Sequence, residues 1–269
     1  MKNILFLLLL SFPIFLFGQN GSSYSNSATS IAMGNTGINF TDINSLFTNQ
    51  AGLSSLKNPS FIASAERRFA LADLNNLAAG FALPTNSGTF GISVNYFGFD
   101  QYNETKVGIA YSRKLMEKLS IGVQFDVLNT RIPEYGSKNL YTFEVGIQSE
   151  LSEQFTLGFH IFNPVRLEIV EDEYLPSVIQ AGITYQPSKK VIVNAELEKD
   201  IDFPFTVKLG IEYEMVDNFY LRIGANTEPT NLSFGLGYQL KNKLRIDFAS
   251  SYHQELGFTP AISLGYDLK

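Results

Sequence analysis

The chain contains no cysteine, no tryptophan and only two histidines, and just 17% of its residues are charged. Without cysteine there can be no disulfide framework, thiolate metal site or cysteine nucleophile. A lipoprotein is excluded too, since no cysteine could carry the lipid. The 20 Lys and Arg are outnumbered by 26 Asp and Glu, and no basic run occurs. An acidic chain of this kind has no electrostatic footprint for nucleic acid, so no nucleic-acid partner is expected. No run of apolar residues after the N-terminus is long enough to cross a bilayer as a helix. What the chain has instead is 23 Phe and 13 Tyr, spread over its length.

Residues 1–18 read as a secretory signal peptide. Lys2 is its basic start, Ile4 to Phe17 its apolar stretch, and cleavage is expected near Gln19 after Leu16-Phe17-Gly18. Ile4 to Phe17 is shorter than the roughly 20 residues a spanning helix needs. Losing Lys2 takes the net charge from −6 to near −7. With no break in composition afterwards, the mature chain reads as a segment over 19–58 and a single domain over 59–269.

From Phe61 to Leu268 one pattern recurs: about ten residues alternating apolar and polar, then a short polar turn. The alternation places strands at 61–69, 75–83, 88–98, 104–113, 118–129, 139–149, 154–162, 177–186, 190–198, 204–213, 218–225, 231–240, 243–251 and 258–268. Leu119, Ile121, Val123, Phe125 and Val127 alternate with Ser120, Gly122, Gln124 and Asp126. Period 2 assigns the two sets to opposite faces of a sheet. Behind a signal peptide, this predicts an all-β fold: a transmembrane antiparallel barrel of about 14 strands, apolar outside and polar inside, in the outer membrane of a Gram-negative bacterium, with outer-membrane lipid around it.

Two regularities agree with that reading. If the first strand runs outward, the longest connections (130–138, 163–176 and 252–257) all fall at the extracellular end and the short turns at the periplasmic end. Tyr111, Tyr185, Tyr213, Tyr238 and Tyr266 each close the lipid-facing set of an inward-running strand, where an interfacial aromatic belt belongs. The last strand, ending at Leu268, reads as the strand that closes the barrel. Strand one fits worst, because Glu66-Arg67-Arg68 is charged on both faces. A mid-bilayer Arg67 would cost about 2–4 kcal/mol, so Arg67 sits near the outer rim, faces a protein neighbour, or marks a misplaced register.

Inward parity falls on Lys106, Asp126, Glu144, His160, Glu196, Lys208, Glu212, Arg222, Arg245 and Asp247. Their mixed signs suit pairing across a lumen better than a single-sign ion filter. Gly91, Gly108, Gly122, Gly146, Gly158, Gly182, Gly210, Gly224, Gly235, Gly237 and Gly265 share this parity. Glycine on a strand marks a bend or the close approach of another backbone. The candidate for that approach is residues 20–58, rich in Ser, Asn, Thr and Gly but studded with Ile31, Met33, Ile38, Phe40, Leu46, Phe47, Leu53 and Leu56. Within it, Thr41-Asp42 can cap a short helix with Ile43, Leu46 and Phe47 on one face.

No catalytic residues are expected. His253 stands near Ser250 and Ser251, but a nucleophilic serine needs a base oriented by a third group. Glu168, Glu171, Asp172 and Glu173 form an acidic loop. Oxygen ligation of calcium is conceivable there, while a solvated loop explains it as well. No metal or cofactor is expected.

The motif Ala32-Met33-Gly34-Asn35-Thr36-Gly37, followed by Thr41-Asp42 and by Asn49-Gln50-Ala51-Gly52-Leu53, resembles the start of the fatty-acid-transporter-like (FadL-like) barrels, a superfamily that includes the PorV/PorQ proteins of type IX secretion. Those proteins open on an Ala-Met-Gly-Gly-Ala-Gly-like stretch and carry Asn-Pro-Ala-Gly-Leu before strand one; here Gln50 replaces the proline. The resemblance implies a 14-stranded barrel with an N-terminal hatch inside the lumen. Family transporters also build a hydrophobic ligand site from large extracellular loops, whereas here the longest loop is short and charged. The expected function is therefore a non-enzymatic structural or partner subunit of a secretion or outer-membrane assembly machine, bound to a larger outer-membrane protein. The alternative is transport of small hydrophobic molecules, with a hydrophobic ligand as partner.

Overall fold

The computed structural model describes residues 27–170, 173–241 and 243–268. The signal peptide and its cleavage site lie outside the described residues, as do Glu171 and Asp172 of the acidic loop.

Fourteen antiparallel strands close into one barrel. They are β1 (Ser60–Arg67), β2 (Asn75–Thr85), β3 (Gly88–Phe99), β4 (Tyr102–Met116), β5 (Leu119–Ile132), β6 (Gly136–Glu150), β7 (Phe155–Phe162), β10 (Val178–Ser188), β11 (Val191–Asp200), β12 (Phe205–Val216), β13 (Phe219–Asn226), β14 (Asn231–Leu240), β15 (Leu244–His253) and β16 (Gly257–Asp267). Two short strands, β8 (Glu168–Val170) and β9 (Glu173–Tyr174), form a hairpin between β7 and β10. Each barrel strand pairs with its neighbours in sequence, and β1 closes on β16 from Ser60↔Asp267 to Glu66↔Ala261. Closure leaves no free edge, which is what a sheet in hydrocarbon requires.

The two faces separate as the alternation predicts. On β5, Val123 and Phe125 are exposed on the outside, while Ser120, Gln124 and Asp126 are buried inside. On β12, Phe205, Val207, Leu209, Ile211 and Tyr213 face out while Thr206 and Lys208 are buried.

Several strand ends differ from the sequence expectation. β1 stops at Arg67, and 68–70 turn into a 3-10 helix. Arg67, last on the strand and exposed, donates from Nε to Asn75 Oδ1 (3.0 Å). The 130–138 loop is mostly strand: β5 and β6 pair from Ile132↔Gly136 downward, leaving 133–135 as the turn. Polar alternation hides a ladder that continues past the apolar zone. β4, β10, β12 and β14 likewise run on beyond Tyr111, Tyr185, Tyr213 and Tyr238, so in these four strands the tyrosine is not the last outward residue. Tyr185, Tyr213, Tyr238 and Tyr266 are exposed on the outer face. Tyr111 packs on Phe90 and donates to Ser87 O (2.6 Å) in a short turn; Tyr185 stacks on Phe155 with ring centres 4.7 Å apart.

Residues 27–58 lie inside the barrel. Helix α1 (Ala28–Ala32) is capped by Ser27, whose side chain accepts from Ser30 N (3.2 Å). A 3-10 helix over Ile43–Phe47 starts at Asp42, whose carboxylate accepts from Asn44 N (3.0 Å). Asn49 caps a second 3-10 helix, Gln50–Ser55, where the sequence suggested only a break. Gln50 is the first residue of that helix, the position proline favours. Its amide lets the helix start in the same place and adds a side-chain hydrogen bond to the wall.

The core lies between this segment and the wall. Ile43, Leu46, Phe47 and Leu53 pack against Ile62, Ala78, Ala82 and Ala110 on the inner faces of β1, β2 and β4. Ala28, Ile31 and Ala32 pack against Ala249 and Ala261. Full burial of one Leu or Phe side chain contributes about 1.5–3 kcal/mol. Most of the inward glycines make room for it: a Cβ on Gly122 would lie 2.3 Å from Ala51 N, one on Gly146 1.9 Å from Asn49 Oδ1, and one on Gly224 2.0 Å from Gly34 N. Gly108 and Gly237 instead have wall side chains as nearest neighbours. Close approach of the segment therefore accounts for most of the glycine row.

Candidate functional site

The polar positions of the inner face converge into three clusters that grip the N-terminal segment. In the first, Glu144 on β6 takes Lys106 Nζ (2.7 Å), His160 Nε2 (3.0 Å) and Gln50 Nε2 (2.7 Å). Gln124 bridges Glu144 (3.2 Å) and Asp126 (2.8 Å). In the second, Arg222 lies between Glu212 (2.5 Å) and Asp247 (2.8 Å), and Arg245 bonds Asp247 (3.0 Å) and Asp42 (2.8 Å) of the segment. In the third, Glu196 accepts the backbone amides of Gly37 (2.7 Å) and Ile38 (2.9 Å), beside the Lys208–Glu198 ion pair.

All ten inward polar residues named from the sequence thus lie on the inner face. Glu212 and Arg245 are part-buried and the other eight are buried. Breaking a buried pair from one side leaves an uncompensated charge, so these clusters fix the segment's position.

The motif residues sit at these contacts. Met33 and Gly34 press against Gly210 and Gly224, and Gly37 donates to Glu196. Asn49 Nδ2 reaches Ile38 O (2.9 Å) and Ile147 O (3.2 Å), and Ala51 O accepts from Ser112 Oγ (3.0 Å). A Cβ on Gly52 would lie 1.9 Å from Phe40 O, and Leu53 is fully buried.

The segment divides the lumen. Towards the short turns lies a cavity of about 330 Å³ bounded by Asp42, Ile43, Lys57, Arg245 and Tyr266. Towards the loops lies a larger chamber of about 490 Å³, floored by Ile38, Phe47 and Thr48. Phe69, Phe162, Phe203 and Leu256 give it an apolar side. The chamber was not foreseen: its lining comes from many strands, and no stretch of sequence contains it. Glu198 and Asp200, on the same inward alternation as Glu196, were the available signal.

One part of the wall is not strand. β7 ends at Phe162 while β6 continues to Gly136, and residues 163–170 and 173–177 fill the place. Its Leu167, Ile169 and Leu175 pack with Leu128, Leu140 and Phe162. Asn163, fully buried at φ 50°, ties the segment down. Its Oδ1 accepts from Thr142 Oγ1 (2.9 Å), and its Nδ2 donates to Leu175 O (3.0 Å).

Chemistry considered from sequence does not assemble. His253 Nδ1 accepts the amides of Glu255 and Leu256 in its own turn (3.2 Å each), where an orienting carboxylate would have to bind. Among the described residues no group of His, Asp and Glu is arranged to hold a metal ion.

No family model and no curated protein matches the chain in sequence. Solved structures match in shape. The CymD monoaromatic hydrocarbon channel superposes with a TM-score of 0.72 at 14% identity, covering 92% of this chain and 98% of that one. The Ralstonia pickettii toluene transporter TbuX gives 0.73 at 12%, covering 92% and 100%. A Pseudomonas aeruginosa FadL homologue gives 0.66 at 11%, covering 91% and 98%.

The chain has the fold of FadL-family channels.

The resemblance carried by the motif over residues 32–53 therefore meets a likeness of fold along most of the chain. The solved structures that carry that likeness are FadL-type channels.

Proposed function

We propose that this is a non-enzymatic outer-membrane channel for small molecules with an apolar part, stoppered by residues 27–58 acting as a hatch. The observation that carries the reading is the chamber of about 490 Å³ with an apolar side, standing above a floor made by the hatch itself. Pockets of roughly 300–1,000 Å³ are the size that holds small organic ligands. The fold shared with hydrocarbon channels supports the same reading.

This reverses the order expected from sequence. A partner subunit of a secretion machine was favoured because short, charged loops left no ligand site. The chamber is built from wall and hatch side chains and from short connections such as those carrying Phe69, Phe203 and Leu256, so it needs no long loop and that argument no longer holds. A large outer-membrane protein recovered in stoichiometric amount in a mild-detergent pull-down would restore the partner reading.

The strand ladder is continuous around the barrel below the loop end, so passage runs along the axis and needs the hatch to move. The test is uptake of a labelled monoaromatic compound by cells with and without the gene. The proposal expects slower uptake on deletion and rescue by the wild-type protein. Equal uptake by both strains would refute it.

A further inference from the structure

The upper chamber is lined by six carboxylates against three cations, Arg68, Lys106 and Lys208. β11 turns Glu196, Glu198 and Asp200 inward in succession, and Glu228 stands nearby at the rim. The cations facing them are already engaged. Lys208 pairs with Glu198, Lys106 with Glu144, and Arg68 with Glu66 (3.8 Å). Glu196 is occupied by two amides of the hatch. Asp200 takes the amide of Asp202 (3.2 Å), and among the described residues neither Asp200 nor Glu228 has an ion-pair partner. The chamber's unspent charge is negative.

A second observation is independent of charge. Asn226, 6% exposed, donates from Nδ2 to Pro229 O (2.6 Å). A carbonyl only accepts, so the amide cannot be turned round, and Asn226 Oδ1 is left without a donor. His160, 4% exposed, is held at Nε2 by Glu144, and its Nδ1 has no partner. In a neutral ring that donates from Nε2, Nδ1 presents a lone pair. Both residues line the chamber. Buried acceptors without donors call for a ligand that donates.

We propose that the chamber binds a small organic cation, a primary ammonium carried on an apolar body. The ammonium has three donors and no acceptor, matching the carboxylates and the unpaired acceptors. The apolar body lies along Phe47 and Phe203, whose faces also favour a cation. A bare hydrocarbon would leave the acceptors unpaired, and a carboxylate would meet like charge. This inference rests on the channel reading and narrows its cargo.

The test is saturation-transfer NMR on the mature protein folded in detergent micelles, with empty micelles as blank. The probes share one phenylethyl body: 2-phenylethylamine, propylbenzene and 3-phenylpropanoate. The ammonium is expected to bind at least about tenfold tighter than the other two. Asp200→Asn with Glu228→Gln is expected to weaken it by about fivefold or more, while Glu134→Gln, on the exposed β5–β6 tip, changes nothing. Equal or tighter binding of propylbenzene or 3-phenylpropanoate overturns the proposal and leaves the channel reading standing. No binding of any probe overturns both. Displacement of the amine by calcium chloride at equal concentration would assign the chamber to an inorganic cation and overturn the proposal. The wild-type ranking decides by itself, so a double variant that fails to fold does not shelter it.

Discussion

Gly224→Ala tests how the hatch is seated. Gly224 lies in the middle of β13, paired with Gly210 on β12 and Ser233 on β14. Its backbone angles suit any residue, so alanine does not strain the strand. The conflict is with the hatch: the new Cβ would stand 2.0 Å from Gly34 N and 2.2 Å from Met33 C. Ordinary contact begins near 3.4 Å, so the turn at 33–34 must retreat by about 1.4 Å. The wall cannot give way as easily, since it is hydrogen-bonded on both sides. Overpacking of this kind costs about 1–3 kcal/mol, which makes local opening of the hatch roughly 5–150 times more frequent. Hydrogen exchange with mass spectrometry, in micelles, reads this directly on the amides of 27–48. Their exchange should accelerate while the barrel's heat-modifiable gel shift keeps its midpoint. Gly265→Ala is the matched control, because its Cβ would meet nothing nearer than 3.8 Å. Equal behaviour of the two variants, or simultaneous loss of hatch and barrel in Gly224→Ala, would refute the reasoning.

Two further substitutions probe the polar interior. Glu144→Ala takes the nearer carboxylate from the buried Lys106, leaving it Asp126 at 3.9 Å, and removes the acceptor for Gln50 and His160. It should cost the barrel about 3–5 kcal/mol, measured as a lower denaturant midpoint, and Glu144→Gln should recover part of the loss. Asn163→Ala removes the bonds to Thr142 and Leu175. It should cost about 1–3 kcal/mol, confined to segment 163–177: faster exchange there, with the barrel's midpoint unchanged.

The strands were legible because each barrel wall faces two solvents. Phe205, Val207 and Leu209 alternate with Thr206 and Lys208 since one set meets lipid and the other the lumen. Where that contrast ends, legibility ends. Arg131 and Lys138 sit opposite polar neighbours beyond the apolar zone, so the β5–β6 ladder read as a loop. On β1 and β2 the inner face is itself apolar, because Ile62, Ala78 and Ala82 receive Leu46 and Leu53, and the pattern there blurs. The inward charges could be identified by parity, but which cation meets which carboxylate depends on strand stagger and on Asp42 and Gln50 arriving from the hatch. Helix α1 and the hairpin β8–β9 are too short to carry a periodic signal. The chamber depends on what the hatch leaves unfilled, and so appears only in three dimensions.

In the proposed channel, passage requires the hatch to leave the lumen. The chain has no native cysteine, so a disulfide can be placed at will. Ala28 N lies 2.6 Å from Ser263 Oγ, at the far end of the hatch. Ser54 Oγ lies 2.8 Å from Ser120 Oγ, next to the point where the hatch joins β1. The decisive measurement is uptake of a labelled monoaromatic amine into proteoliposomes by the oxidised pairs Ala28→Cys/Ser263→Cys and Ser54→Cys/Ser120→Cys. The account predicts that the first bond stops uptake and reduction restores it, while the second leaves uptake unchanged. Undiminished uptake with the first bond fully formed would contradict it.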